Sequence, residues 1–308
     1  MNKTNQIEET LLFQVANMTG LPRDAYNIRK NGGLSARSST KNITIKSKTD
    51  KSGIDIFIRP GTRGESVHIP VIITESGLEE LVYNDFYIGE NCDVDIIAGC
   101  GIHNDGHNRS QHDGLHTFHV GKNSKIRYNE KHYGEGNGSG ERIMNPKTVV
   151  YLEEGAFIQM DMVQIRGVDS TKRYTKVEVG KNAEAVLAER LLTQGKQTAV
   201  SEMDVFLNGA GSASRIISRS VAQDESSQTF YPRMIGNASG FGHVQCDSIL
   251  MGHAKIRSIP AITANNPNAQ LVHEAAIGRI AGDQLLKLMT LGLTEQEAEE
   301  KILSGFLK

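Results

Sequence analysis

Tryptophan is absent from this sequence of 308 residues, proline occurs only 7 times, and aromatic residues make up 6% of the chain. Glycine, by contrast, occurs 31 times. Scarce aromatics together with frequent glycine indicate many short strands and tight turns rather than a helical bundle. The length is sufficient for one large domain or two ordinary ones with a sizeable core.

Cysteine is also scarce, and the three that occur, Cys92, Cys100 and Cys246, do not constitute a disulfide framework. The start, MNKTNQIEET, lacks the apolar region of a signal peptide. No apolar run approaches the ~20 residues that span a bilayer. A net charge of −2 gives no electrostatic support for nucleic acid or an anionic membrane as partner. We therefore expect a soluble protein of the reducing cytoplasm that binds neither.

A glycine-centred pattern recurs along the chain, and it includes the tetrapeptide VGKN at 120–123 and again at 179–182. Each occurrence follows the end of an apolar strand and precedes a new alternating segment. Successive turn glycines lie 25 to 34 residues apart, a spacing that fits one coil of a stacked β-solenoid. We predict a mainly β fold, a right-handed parallel β-helix, with the following turn glycines supplying positive φ: Gly89, Gly121, Gly155, Gly180, Gly209 and Gly236.

The N-terminal segment has the pattern of an amphipathic helix. Its apolar residues recur at helical spacing, and Asn5 with Glu8 suggests a capping box. Those apolar residues are Ile7, Leu11, Leu12, Val15 and Met18.

The C-terminal segment predicts two helices. Asp283 is expected to cap a first helix that stops at Gly292, and Thr294 with Glu297 forms a capping box for a second. These helices cap the solenoid or offer an apolar face to a partner. The predicted organisation is a helical segment at 1–30, a β-helix core at 31–262 and a C-terminal helical segment at 263–308.

Cys246 lies in the stretch GHVQCDSILMG, which predicts a strand between Gly242 and Gly252. Its thiol is either a small buried hydrophobe, the commoner case, or a ligand and nucleophile. Six histidines lie between His103 and His132, and such clusters suit iron, zinc or copper, although the stretch HNDGHNRSQHDG also reads as a solvated loop.

Several motifs are excluded. The glycine-rich stretch from 132 to 142 is not a dinucleotide fingerprint because Ser139 stands at its last glycine position, and no Walker A loop occurs. HEAAI, from His273, begins like a zinc-protease motif but has Ile277 in place of the second histidine. The pair His273–Glu274 still joins a nitrogen and a carboxylate ligand type. Because no Walker A loop occurs, any ATP hydrolysis is expected in another protein. No G-x-S-x-G elbow or comparable hydrolytic signature is present either.

Three C-terminal motifs resemble the SufB/SufD family, the scaffold components of SUF iron–sulfur cluster assembly. They are CDSILMG at Cys246–Gly252, the AQ…HEA…DQL segment at Ala269–Leu285, and GLTEQEA at Gly292–Ala298. GCGIH and LHTFHV, within 99–120, are similar to a further strand region of the family. The likeness covers roughly residues 85–308 and is closer to SufB than to SufD.

The resemblance implies a scaffold, itself without catalytic activity, on which a transient iron–sulfur cluster is built. Cys246 matches the sulfur-accepting cysteine, His273 and Glu274 match neighbouring iron ligands, and Cys100 matches a second cysteine. It also implies a docked ABC-type ATPase, SufC, which supplies the only use of ATP. A sulfur donor and apo-protein acceptors are further implied partners. The residues that we expect to contact the ATPase are Asp283, Leu285, Leu288, Ala298, Ile302 and Phe306.

The chain departs from typical SufB in being shorter and in having Val272 where glutamate is frequent. We therefore expect a compact form that pairs with itself, the alternative being a heterodimer with a SufD-like paralogue. Two other readings stay open: a structural β-solenoid that binds partners, and a β-helix enzyme acting on carbohydrate. Cys92 matches no family position and is expected to be structural.

Overall fold

The computed structural model describes residues 3–165 and 167–307. Its helices and strands are α1 (Lys3–Ala16), β1 (Ala25–Lys30), β2 (Gly33–Ser38), β3 (Ile43–Ser47), β4 (Gly53–Ile58), β5 (Arg63–Ile73), β6 (Glu79–Ile88), β7 (Asp93–His103), β8 (Ser110–Val120), β9 (Lys125–Glu135), β10 (Arg142–Met144), β11 (Lys147–Leu152), β12 (Phe157–Gln164), β13 (Ser170–Val179), β14 (Glu184–Thr193), β15 (Thr198–Leu207), β16 (Ser212–Ala222), β17 (Ser227–Gly236), β18 (Gly240–Leu250), β19 (Lys255–Ser258), β20 (Ala261–Ala264), β21 (Ala269–Gly278), α2 (Gly282–Thr290) and α3 (Glu295–Phe306).

The strands form two long sheets, and from β5 onward the chain alternates between them. One sheet has ten strands in the order β2-β1-β5-β7-β9-β12-β14-β16-β18-β21, and the other has eleven. Neighbouring strands pair in parallel along the stack, for example β7 with β9 and β14 with β16. Each coil therefore gives one strand or strand pair to each sheet. The fold is a parallel β-solenoid of about eight turns, which confirms the predicted class.

The paired residues of neighbouring strands measure the length of each coil. Asp93 pairs with Lys125, 32 residues later, whereas Phe157 pairs with Glu184, 27 residues later. The longer coils carry outward loops that stack on one another, since Gly138 N–H donates to the Asn104 carbonyl at 3.1 Å. The predicted spacing of 25 to 34 residues is thus the coil length, with a longer loop in two successive coils.

The turn glycines serve a different purpose from the one predicted. A Cβ on Gly121 would lie 2.7 Å from the Gly89 carbonyl carbon, so glycine is needed for the close approach of consecutive coils. The positive φ belongs two residues later, to Asn91 (57°) and Asn123 (56°). Asparagine tolerates this left-handed conformation better than other non-glycine residues. Of the six predicted glycines, only Gly155 has the positive φ expected of it.

Helix α1 packs on the outer face of the ten-stranded sheet through Leu11 and Val15, both fully buried. Glycine permits the contact, because a Cβ on Gly99 would lie 2.8 Å from the Val15 carbonyl oxygen. The amphipathic pattern is confirmed, but the predicted capping box is wrong. The helix already includes Lys3, which places Asn5 inside it rather than at its N-terminal cap.

Both terminal segments contain strands as well as helices. Strand β21 extends the solenoid to Gly278, inside the segment 263–308 that was expected to be helical, and β1 lies inside the segment 1–30. Asp283 does not cap α2, because the N-cap is Ala281 and no side chain bonds to the first turn. The capping box of α3, Thr294 with Glu297, is present as predicted. Among the described residues, no helix is long and apolar enough to cross a membrane.

Gly121→Ala tests the close approach between coils. The added methyl must displace the backbone of the preceding coil, so we expect a loss of about 1–3 kcal/mol in the free energy of unfolding. Urea denaturation followed by circular dichroism measures it. Gly20→Ala is the matched control, because no atom lies within 4 Å of its Cβ position. Equal midpoints for the two variants would contradict the role assigned to Gly121.

Candidate functional site

The interior of the solenoid has an apolar half and a polar half. Where strands of the ten-stranded sheet begin, the inward residues are hydrocarbon, as at Ile126, Ile158 and Ala185, which pair in register. Towards the ends of those strands, and in the first part of the facing strands of the eleven-stranded sheet, buried polar residues follow one another along the axis. We call this set the polar column; its members are Glu80, Asn84, His112, His116, Glu130, His132, Arg173, Glu189, Ser201, Ser218 and Ser220.

An ion network holds the middle of the polar column together. Arg173 donates to Glu130 and lies 3.5 Å from Glu189 through its Nε. Ser201 Oγ donates to Glu189 at 2.8 Å. Burial favours the neutral form of both acids, but Arg173 holds the pKa of Glu130 well below its usual range, whereas the pKa of Glu189 is raised. One arginine thus neutralises mainly Glu130, and Glu189 retains a proton more readily.

Near the N-terminal end of the column, histidines and Cys100 line a small cavity of about 20 Å³. His116 is held by the Tyr128 hydroxyl, 2.8 Å from its Nδ1, and by the Asn84 amide, 3.3 Å from its Nε2. Burial lowers the pKa of His116 to about 4. His112 and His116 are strand residues of the core, and the solvated loop considered for the stretch that includes His112 ends before β8.

Cys246 lies at the C-terminal end of the polar column, on the inward face of β18. It pairs in register with Ser218 on one side and with Ala275 on the other. With Glu189 and Ser218 it lines a cavity of about 10 Å³, close to the space that one water molecule needs. The thiol therefore faces a polar space, although the residue is only 3% exposed.

The environment of Cys246 disfavours its thiolate. Burial raises the pKa of the thiol to about 11, and the Ser258 hydroxyl opposes this rise. A thiolate is the form that binds metal or attacks sulfur. The neutral thiol is therefore the favoured form of Cys246 at neutral pH.

Strand β21 places His273 and Glu274 on opposite faces of the sheet. His273 pairs with Val244 and shares the inward face with Cys246, and its Nε2 is buried without a hydrogen-bond partner. Glu274 pairs with Gln245 on the outward face, and its side chain is 65% exposed. The structure therefore brings Cys246 and His273 to one face, and it separates Glu274 from both.

Cys100 stands apart from this group. It lies on β7, five strand spacings from β18 in the same sheet, or about 24 Å along the axis. Both thiols face the polar column, but one chain cannot place them on the same cluster. Cys92 is buried at a turn, where its Sγ donates to the Arg59 carbonyl at 3.1 Å, in agreement with a structural role.

The two C-terminal helices pack against each other. All five apolar residues predicted to bind a partner are partly or fully buried, namely Leu285, Leu288, Ala298, Ile302 and Phe306. Asp283 is exposed. The apolar side chains that remain most exposed are Leu286 (61%) and Leu291 (75%), with Met289 beside them. The apolar residues predicted from the sequence are thus partly or fully buried, whereas Leu286, Met289 and Leu291 form a second apolar face that is exposed to solvent.

Two features escaped sequence reasoning. His243 lies on the outer face of β18, where its Nε2 is 3.6 Å from the Glu274 carboxylate. Arg173 on β13 and Glu189 on β14, which the sequence analysis did not single out, are buried in the polar column. The register between coils decides which side chains meet inside the solenoid, and the sequence of one coil does not contain it. Among the described residues, no three His, Cys, Asp or Glu side chains are arranged to hold a metal ion.

The strands of the solenoid from β7 onward and the helix pair lie within one stretch of sequence that matches a known family. Residues 80–306 match the family model of the SufBD core domain of SUF system FeS cluster assembly. This match covers well over half of the chain. The chain therefore belongs to the SufBD core domain family.

Relatives with the printed description "iron-sulfur cluster assembly SufBD family protein" are similar over most of the chain. One from Methanocaldococcus jannaschii is 27% identical over 85% of this chain and 83% of its own length. One from Pyrococcus horikoshii is 32% identical over 76% of this chain and 71% of its own. A third, from Archaeoglobus fulgidus, is 28% identical over 84% and 69%. Membership connects the chain with iron–sulfur cluster assembly.

Buried histidine makes the fold sensitive to acid. His116 has a pKa of about 4 when folded and a reference value of 6.5, so the unfolded state binds the proton more tightly. Its neutral form therefore contributes fully above about pH 6.5, and stability is lost as the pH falls towards 4. We expect a loss of about 2 kcal/mol between pH 7 and pH 5 from this residue.

The measurement is the urea midpoint at both pH values. His116→Gln, whose amide can still bond to Tyr128 and Asn84, should flatten the dependence, whereas His253→Ala on the surface should leave it unchanged. A wild-type midpoint that does not change with pH would contradict the burial of a neutral His116.

Proposed function

We propose that the chain is a scaffold on which iron–sulfur clusters are assembled, with Cys246 as the residue that accepts sulfur and binds iron. The observation that carries the proposal is the position of Cys246, at the end of a polar column and on the same face as His273. The unpartnered, buried Nε2 of His273 is available as a second ligand. Iron and sulfide are substrates of this process, and the cluster is bound only until it is passed on.

The chemistry of such a site favours transfer over storage. Four cysteine thiolates hold a cluster durably, whereas one thiolate and one imidazole, those of Cys246 and His273, form an incomplete set of ligands. Cys100 supplies a second thiol that faces the same polar column. We assign it to sulfur binding at a distance from the cluster, since the two thiols lie about 24 Å apart. The sulfur donor and the apo-protein acceptors act in the cytoplasm, where thiols stay reduced.

A second copy of the chain is the simplest source of the missing ligands. Strand β21 is the edge of the ten-stranded sheet and leaves one row of backbone groups unpaired. Val272 and Ile277 on this strand are exposed apolar residues. A symmetric contact along β21 covers these groups and brings two sets of ligands together. A SufD-like paralogue is the alternative occupant of this edge.

An ABC-type ATPase of the SufC kind is the partner proposed for the C-terminal helices. Family membership supports it, and Leu286, Met289 and Leu291 form an apolar surface that water would otherwise contact. The chain itself has no Walker A loop. ATP therefore acts only through the partner, and the scaffold has no catalytic activity of its own.

The carbohydrate-acting alternative is not favoured by the outer surface. Aromatic rings do form a column there, but Tyr87 stacks on His119 with centroids 5.2 Å apart, and His119 stacks on Tyr151 at 5.4 Å. Their faces cover one another, so they offer edges rather than the ring faces on which sugars would stack.

Cys246→Ser should fold normally and build no cluster. The hydroxyl fits the cavity but does not supply a thiolate. Anaerobic reconstitution with iron and sulfide, followed by absorption spectroscopy and iron and sulfide assays, measures cluster content. Cys92→Ser, a buried cysteine away from the column, is the control and should reconstitute like wild type. Normal cluster content in Cys246→Ser would refute the assignment.

Leu286→Asp should abolish co-purification of the ATPase without affecting folding, because the side chain is exposed and its charge would be desolvated on docking. Glu300→Ala, on an exposed position of α3, is the control. Phe306→Asp should also prevent binding, but by disturbing the helix pair.

Mass measurement of the wild-type complex should give two scaffold copies. A required third, different scaffold subunit would contradict self-pairing.

A further inference from the structure

The outward face of the last two strands of the ten-stranded sheet carries an imidazole and a carboxylate side by side. His243 on β18 and Glu274 on β21 are diagonal neighbours, since His243 pairs with Val272 and Glu274 with Gln245. The His243 Nε2 and the Glu274 Oε2 are 3.6 Å apart. The side chains are 24% and 65% exposed, so hydrated ions reach both.

This distance suits two ligands of one metal ion better than a hydrogen bond. Nitrogen and oxygen atoms joined by a hydrogen bond lie about 2.7–3.2 Å apart. Two ligand atoms, each about 2.1 Å from one ion, lie about 3.4 Å apart at a tetrahedral angle. The observed separation of 3.6 Å is near that value, and a small side-chain rotation closes the difference.

Neither side chain is engaged elsewhere. Within the described part of the chain, His243 and Glu274 have no other hydrogen bond or ion pair. The interior histidine–glutamate pair differs, because Glu130, 3.6 Å from His132, is also bound by Arg173 and Tyr128. A contact between exposed polar side chains contributes little to stability, so the fold does not depend on the pair at the sheet surface.

We propose that His243 and Glu274 form a loading site for Fe²⁺ on the outer face of the sheet, and that a second copy of the chain completes it. This inference rests on the proposed scaffold function and adds His243 to the iron-binding residues. A nitrogen and a carboxylate oxygen suit Fe²⁺, and two protein ligands leave coordination positions for water.

The second copy is required by the arrangement of β21. The pair lies at the open edge of the sheet, and no third His, Cys, Asp or Glu is placed to complete a metal site within the described residues. A symmetric contact along β21 would bring a second His243–Glu274 pair to the same seam, which gives two imidazoles and two carboxylates. Iron bound there is separated from the Cys246 thiol by the sheet itself, so loading does not require the thiol.

Anaerobic titration with Fe²⁺, at a protein concentration where the chain is dimeric, tests the site. His243→Ala and Glu274→Gln should each weaken binding at least ~10-fold, as expected when a ligand is removed. Cys246→Ser should bind within about 2-fold of wild type, well under the 1.4 kcal/mol of a tenfold change. His253→Ala is the matched control for loss of a surface histidine. With Co²⁺ as the probe, wild type should show no thiolate-to-metal charge-transfer band.

Unchanged Fe²⁺ binding in His243→Ala, or loss of binding in Cys246→Ser, would overturn the site. Equal binding by the dimer and by protein diluted to the monomer would overturn completion by a second copy. Failure of the scaffold function gives a different result, because wild-type protein would then bind Fe²⁺ at this site and still build no cluster when sulfide is added.

Discussion

Register between successive coils is the constraint on which the rest of this structure depends. Parallel ladders fix each residue against its counterpart in the next coil and leave its side chain on one face of the sheet. Cys246 is therefore aligned with Ser218 and Ala275, and Glu274 with Gln245. Neighbours in sequence become separated by a sheet, and residues 28 or 29 positions apart become partners. The candidate site follows from that geometry more than from local sequence.

The apolar half and the polar half of the solenoid interior are stabilised by different interactions. The apolar half of the interior is packed by residues such as Phe86 and Phe118, whose rings stack 4.3 Å apart. The polar half has little contact with water, and the groups in its middle pair along the axis, as Arg173 does with Glu130 and Glu189. Buried polar groups without partners are costly. Buried atoms without a hydrogen-bond partner lie at both ends of the polar half, among them the Asn84 Oδ1 near its start and the His273 Nε2 in the last coil.

The sequence predicted the solenoid because coil length and turn glycines recur in the linear order of residues. The role of those glycines was misjudged, since the approach of Gly89 to Gly121 is a contact between coils. Strand β21 was taken for a helical segment because an edge strand lacks the buried alternation that identifies inner strands. The family motif pointed to Cys246, His273 and Glu274. It did not reveal their faces, nor the neighbouring His243, since those depend on register.

The stacked outward loops restrict which insertions and deletions the sequence can accept during evolution. Gly138 and Gly140 bond to Asn104 and Gly106 of the preceding coil, and His107 meets Ser139 at 2.8 Å. An insertion in one loop would leave the other without its hydrogen-bond acceptors. Lengthening is therefore tolerated only when both coils grow together, and related chains should gain or lose residues there in matched pairs.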